Sequence, residues 1–145
     1  MDIRESLYKE CQVFLDHRLE TLQKTISGIQ KALLSETKSS AGDKHETGRA
    51  MLQLEREKAG IQLAEVQKES AVLVKVNLNK SSKVVCIGSA VYTSQANYFI
   101  AISAGEIRID DTYYYAISPK TPIGQLLISK SVGDAIDFRG NTIRI

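Results

Sequence analysis

Residues 11–33, CQVFLDHRLETLQKTISGIQKAL, place Cys11, Leu15, Leu19, Leu22, Ile26, Ile29 and Leu33 at spacings of 4, 4, 3, 4, 3 and 4. A helix turns once every 3.6 residues, so this rhythm lays one apolar stripe along a long helix and calls for a partner to cover it. Further along, Ala50, Leu54, Ile61, Ala64 and Ala71 keep a similar rhythm, with Glu57 or Lys58 occupying one turn. If the chain folds back on itself, facing positions have a constant sum of residue numbers. Leu33 with Ala50, Ile29 with Leu54, Leu22 with Ile61 and Leu19 with Ala64 all add to 83. The expected partner is therefore internal: an antiparallel αα-hairpin bending near Ala41 and Gly42, whose arms of about 30 residues make a rod of roughly 45 Å.

The grammar changes near Asn77 to Ser82. Positions 1–75 contain no proline, whereas the remainder holds Pro119, Pro122 and most of the β-branched and aromatic runs. Alternation and turn residues there predict strands at Lys83–Gly88, Val91–Thr93, Tyr98–Ser103, Glu106–Ile109, Tyr113–Ile117, Ala135–Phe138 and Thr142–Ile145. One short helix interrupts them, with Thr121 as N-cap, Pro122 at its first position and Ile123, Leu126 and Leu127 as its apolar face. Tyr114 should face away from Tyr113 and Tyr115, because side chains alternate across a strand. The expectation is an α+β protein: residues 1–76 form a coiled-coil hairpin with a tip near 41–47, and residues 77–145 a small antiparallel sheet domain with one short helix.

Charge and cysteine usage narrow the function. Of 145 residues, 19 are Lys or Arg and 17 Asp or Glu, a net of +2. The first 75 positions hold 12 basic and 12 acidic residues and the last 70 hold 7 and 5. Neither half is a polybasic arm, so binding of nucleic acid by bulk electrostatics alone is disfavoured and any contact must be local. Cys11 and Cys86 have no Cys or His near enough in sequence for a metal cluster and read as reduced, partly buried thiols. No run reaches the roughly 18 to 20 apolar residues of a membrane span, and MDIRESLYKE lacks the order of a secretory signal, so the sequence reads as a cytoplasmic monomer without membrane contact.

The turn carries residues 38–49, KSSAGDKHETGR, with Asp43 and Glu46 three apart at the start of the returning helix. Two readings stand. Asp at the N-cap with Glu at N3 makes a capping box, each side chain satisfying an unpaired backbone N–H. Alternatively, two carboxylates at the end of an exposed rod are presented to a metal in another molecule, since Mg²⁺ is commonly held by one or two carboxylates with outside ligands and waters. Two carboxylates alone make a poor site, so a free-standing magnesium enzyme is disfavoured and a partner would have to complete the site.

Gly42-Asp-Lys-His-Glu46 is similar to an Asp-x-x-Glu tip motif, and Ile117-Ser-Pro-Lys-Thr-Pro-Ile-Gly-Gln-Leu-Leu-Ile-Ser-Lys130, followed by the Gly133-Asp134 turn, is similar to a Ser-Pro-Leu/Ile-Gly-x-Ala-Leu-x-Gly-Lys signature. In that order, across nearly the whole chain, they resemble the GreA/GreB family of bacterial transcription elongation (transcript cleavage) factors. The resemblance implies an FKBP-like C-terminal domain that docks on RNA polymerase through Pro122, Ile123 and Gly124, and a hairpin that enters the secondary channel. There Asp43 and Glu46 would share Mg²⁺ with the polymerase, so that its own centre cleaves backtracked RNA, while Arg49, Lys38 and Lys31 would contact the nascent RNA 3′ end. The protein would thus not be an enzyme itself. Lys44 and His45 depart from the uncharged or hydroxyl residues usual between the acids, and Gly48 from a helix former. These departures raise the alternative of a secondary-channel regulator that binds polymerase without stimulating cleavage. A peptidyl-prolyl isomerase is disfavoured, because no Trp and three Phe leave little to line a proline-sized aromatic slot.

Overall fold

The computed structural model describes residues 2–38 and 42–145, with side chains for all of these except residues 37, 38 and 42–46. Two long helices come first, α1 (Ile3–Lys38) and α2 (Gly42–Val74). Six short strands and one short helix follow: β1 (Ala90–Tyr92), β2 (Asn97–Ile100), β3 (Gly105–Ile109), β4 (Thr112–Ile117), α3 (Pro122–Leu127), β5 (Ala135–Phe138) and β6 (Asn141–Arg144). The class is α+β. Contacts divide the chain into two compact units, Leu15–Lys68 on the one hand and Met1–Phe14 with Glu69–Ile145 on the other.

The first unit consists of helix arms. Along α1, Leu15, Leu22 and Ile29 are buried and Leu19, Ile26 and Leu33 half-buried, so the stripe read from the sequence is the face that packs. On α2 the packed face differs from the expected one. Ala59 and Val66 are buried and Leu52, Arg56 and Leu63 half-buried, whereas Leu54 and Ile61 are 59% and 63% exposed. The two packed series mirror each other about 85, not 83: Leu33 with Leu52, Ile29 with Arg56, Ile26 with Ala59, Leu22 with Leu63 and Leu19 with Val66. Opposite helix directions are also seen in direct neighbours. The Glu36 carboxylate lies 3.2 Å from where a Cβ on Gly48 would stand, and Thr21 and Leu22 share a hollow with Gln62. Helix α2 carries two apolar faces, and periodicity cannot choose between them. Burial does: the face holding Ala59 and Val66 is the one that packs.

In the second unit a four-stranded sheet has the order β1-β2-β4-β3, and β5 and β6 form a separate antiparallel hairpin. Strands β1 and β2 pair antiparallel, as do β3 and β4, but β2 and β4 are parallel. This corrects the wholly antiparallel sheet expected: after β2 the chain crosses to the far edge as β3, then returns between them as β4. A second correction concerns Lys83–Gly88, which is not a strand but holds one isolated bridge from Val84 to Ser131. Gly88 at φ +91 and the hydrogen bond from the Cys86 N–H to Ser89 Oγ, at 2.9 Å, turn the chain there. The other strands lie within three residues of their expected bounds.

Both sheet faces are buried. On one, Val85, Val91 and Ile100 cluster with Ile123 and Leu127 of α3, Ile136 of β5 and Ile143 of β6. The other carries Phe99, Ile107, Tyr114 and Ala116, all buried, and the buried helix-end residues Leu7, Cys11 and Leu73 belong to the same unit. Tyr114 is 3% exposed against 48% and 40% for Tyr113 and Tyr115, as alternation requires. Its hydroxyl is within 3.0 Å of that of Tyr92. Arg4 of α1 fixes the segment leading to the sheet: Nε donates to the Gly88 carbonyl at 2.7 Å, Nη1 to those of Lys80 at 2.8 Å and Leu78 at 3.4 Å, and Nη2 to that of Asn77 at 3.0 Å. A rigid guanidinium fork suits this many convergent carbonyls. Both cysteines are free thiols; Cys11 is buried, while Cys86 is exposed and not partly buried as expected. Among the described residues no helix is long and apolar enough to cross a membrane.

Candidate functional site

Helix α2 begins at Gly42, which puts Asp43 and Glu46 in its first two turns. A spacing of three within a helix sets two positions on one face. Asp43 therefore follows the helix start instead of preceding it as an N-cap would. The side chains of Asp43, Glu46 and Lys38, like those of Lys44 and His45, lie outside the described residues. Of the other proposed RNA contacts, Lys31 is exposed on α1 and Arg49 is exposed on α2. The structure adds one carboxylate that sequence reasoning did not single out. Glu36 of α1 lies against Gly48, two positions beyond Glu46. The signal was present in the mirror arithmetic, since 36 and 48 add to 84, but a lone Glu near a helix end does not stand out. Among the described residues no group of three His, Cys, Asp or Glu is placed to hold a metal ion.

The second candidate region is α3. The Thr121 hydroxyl donates to the Ser118 carbonyl at 2.7 Å and accepts from the Gly124 N–H at 3.1 Å, so it ties the preceding turn to the helix start as its N-cap. Pro122 follows at the helix start and is exposed. Ile123 and Gly124 are buried, Ile123 within the core cluster, so of the three proposed docking residues Pro122 alone offers its side chain to a partner. The Gly133-Asp134 turn serves the fold: Asp134 Oδ2 accepts from the Ser131 N–H at 2.8 Å, and Gly133 has φ +96.

Within the same unit a hollow of about 800 Å³ is lined by Arg4, Lys75, Lys80, Val85, Cys86 and Ile128 among others, and by no aromatic side chain. It does not provide the aromatic slot an isomerase needs. Titration is shifted at buried groups away from the helix turn. Burial, reinforced by the charge of Glu10, pushes the Cys11 thiol up to about 12. Burial, then the hydrogen bond and proximity of Tyr92, then the Asp110 charge push the Tyr114 phenol up to about 12. Both groups are held neutral, which suits packing and gives neither a nucleophilic role. Compared with known protein families, curated proteins and solved structures, the chain matches none.

Proposed function

We propose that the protein is a transcription elongation factor of the GreA/GreB type, which binds RNA polymerase, inserts its helix pair as a coiled-coil hairpin into the secondary channel and stimulates cleavage of backtracked RNA. The observation that carries this reading is the position of Asp43 and Glu46 in the first turns of α2, where two antiparallel helices of 36 and 33 residues meet. At about 1.5 Å per residue, the arm from Leu15 to Lys38 spans roughly 36 Å, a length suited to reaching into a channel. The sheet unit is read as FKBP-like, and its Thr121-Pro122 helix start supports polymerase docking, with Pro122 as the accessible side chain.

Two carboxylate positions on one helix face fit a shared Mg²⁺ better than a private one, because octahedral coordination needs more ligands than two acids supply. When bound, that Mg²⁺ supplies a lowered pKa for the attacking water and charge stabilisation at the leaving oxygen. Asp43 is assigned as its principal ligand from this chain. Glu46 either adds a second oxygen or orients the water, and Lys31, Lys38 and Arg49 steady RNA phosphates. A stalled, backtracked complex incubated with the protein and Mg²⁺ tests the reading: RNA 3′ ends shorten, and Asp43→Ala slows shortening by more than about tenfold while polymerase binding persists. Cleavage indifferent to replacing both acids would remove the site assignment. A second reading rests on Lys44 and His45 between the acids: a regulator that occupies the channel, binds polymerase and leaves the RNA uncut.

A further inference from the structure

The face of α2 turned away from its packed series is itself patterned. Leu54, Glu57, Ile61, Ala64 and Lys68 follow at spacings of 3, 4, 3 and 4, and all are exposed. At about 100° per residue they lie nearly half a turn from Arg56, Ala59, Leu63 and Val66. Exposed leucines scattered singly need no explanation. A second stripe at coiled-coil spacing within one helix does, because it is the pattern of a helix with packed neighbours on two sides.

The charges in this stripe indicate the occupant. In an antiparallel pair of identical helices, every contact obeys one constant sum and occurs twice about a two-fold axis. Residues 61 and 64 add to 125, and so do 57 and 68. One register therefore sets Ile61 against Ala64, a large residue against a small one, and Glu57 against Lys68, an acid against a base. Registers with sums of 114 or 136 would set Glu57 or Lys68 against its own kind and oppose association, whereas this one pairs opposite charges. We propose that this face of α2 is a self-complementary interface, through which a second copy of the chain packs antiparallel about an axis between Gln62 and Leu63. The apolar patch is small, so the dimer is weak and concentration-dependent. It differs from the monomer expected from the sequence and stands independently of the transcription reading.

Charge reversal tests the proposal, because both residues are exposed and neither supports the packed series. In sedimentation equilibrium the protein should show a monomer–dimer equilibrium. Glu57→Lys and Lys68→Glu should each weaken it about tenfold, since every reversal acts at two symmetric pairs. The double variant Glu57→Lys/Lys68→Glu should dimerise like the original protein. An equimolar mixture of the two single variants should form a heterodimer tighter than either homodimer, an outcome that simple loss of structure cannot produce. Ile61→Asp should leave a monomer of unchanged helicity. A protein that stays monomeric at every attainable concentration overturns the proposal, as does a dimer indifferent to these substitutions. Loss of polymerase binding by Ile61→Asp in a protein that never dimerises would assign the face to the polymerase and equally overturn it.

Discussion

Gly124 shows how one missing methyl holds a turn together. A Cβ there would collide with the Ser118 carbonyl oxygen and stand 2.8 Å from Thr121 Oγ1 and 3.0 Å from Pro119 Cα. The glycine is required by close approach and not by its dihedral angles. Gly124→Ala should cost about 1–3 kcal/mol as the Ser118–Pro119 segment is forced off the helix. Thr121→Ala should cost about 1 kcal/mol for the lost cap, and Thr121→Ser much less. Urea denaturation checks this ranking, and a neutral Gly124→Ala would mean that the segment does not sit over the helix. The cap was legible in the sequence because Thr-Pro at a helix start acts through neighbouring residues. The pressure of Ser118 on Gly124 was not, since it depends on how the preceding turn folds back in space.

At the scale of the element, the two long helices divide legible from illegible information. Helix α1 has one apolar stripe, so its packed face followed from spacing alone. Helix α2 has two, and the stripe that holds Leu54 and Ile61 is the exposed one, while Leu52, Leu63 and Val66 lie on the packed face. Ala59 and Val66 are the buried members of that packed face, and neither stands out by size in the sequence. Leu22→Ala should therefore destabilise by about 2–5 kcal/mol, whereas Leu54→Ala should change monomer stability by no more than about 0.5 kcal/mol. Both are read from denaturation at concentrations too low for association, and equal costs would contradict the packed series described above. The parallel pairing of β2 and β4 was likewise hidden: alternation marks a strand but carries no record of the direction of its neighbour.

At the scale of the whole molecule, two buried acids tie stability to alkaline pH. Cys11 rises from an ordinary value of 9.0 to about 12, and Tyr114 from 10.0 to about 12. Between those limits the unfolded chain releases protons that the folded chain retains, so deprotonation draws the equilibrium toward unfolding. Stability should be flat from neutral pH to about 9 and then fall, at up to about 1.4 kcal/mol per pH unit for each group. Urea midpoints measured across pH 7 to 11 check this. Tyr114→Phe should flatten the part of the decline above pH 10, and an unchanged slope would exclude Tyr114 as a contributor. The tip acids belong to another category. Asp43 and Glu46 stand out in the sequence through spacing and resemblance, but the use proposed for them depends on a partner, which internal packing does not encode.

The arms of the inserted unit Leu15–Lys68 leave and return through one pair of helices, so its extent is a caliper that can be reset without touching the jaws. Residues 19–25 and 60–66 are matched heptads, because 19 with 66 and 25 with 60 both add to 85. Excising both removes about 10 Å while returning every remaining seam position to its former mate. On the proposed transcription reading, a shortened protein should still fold and bind polymerase, yet leave backtracked RNA uncut. Full cleavage by the clipped version would show that distance sets nothing.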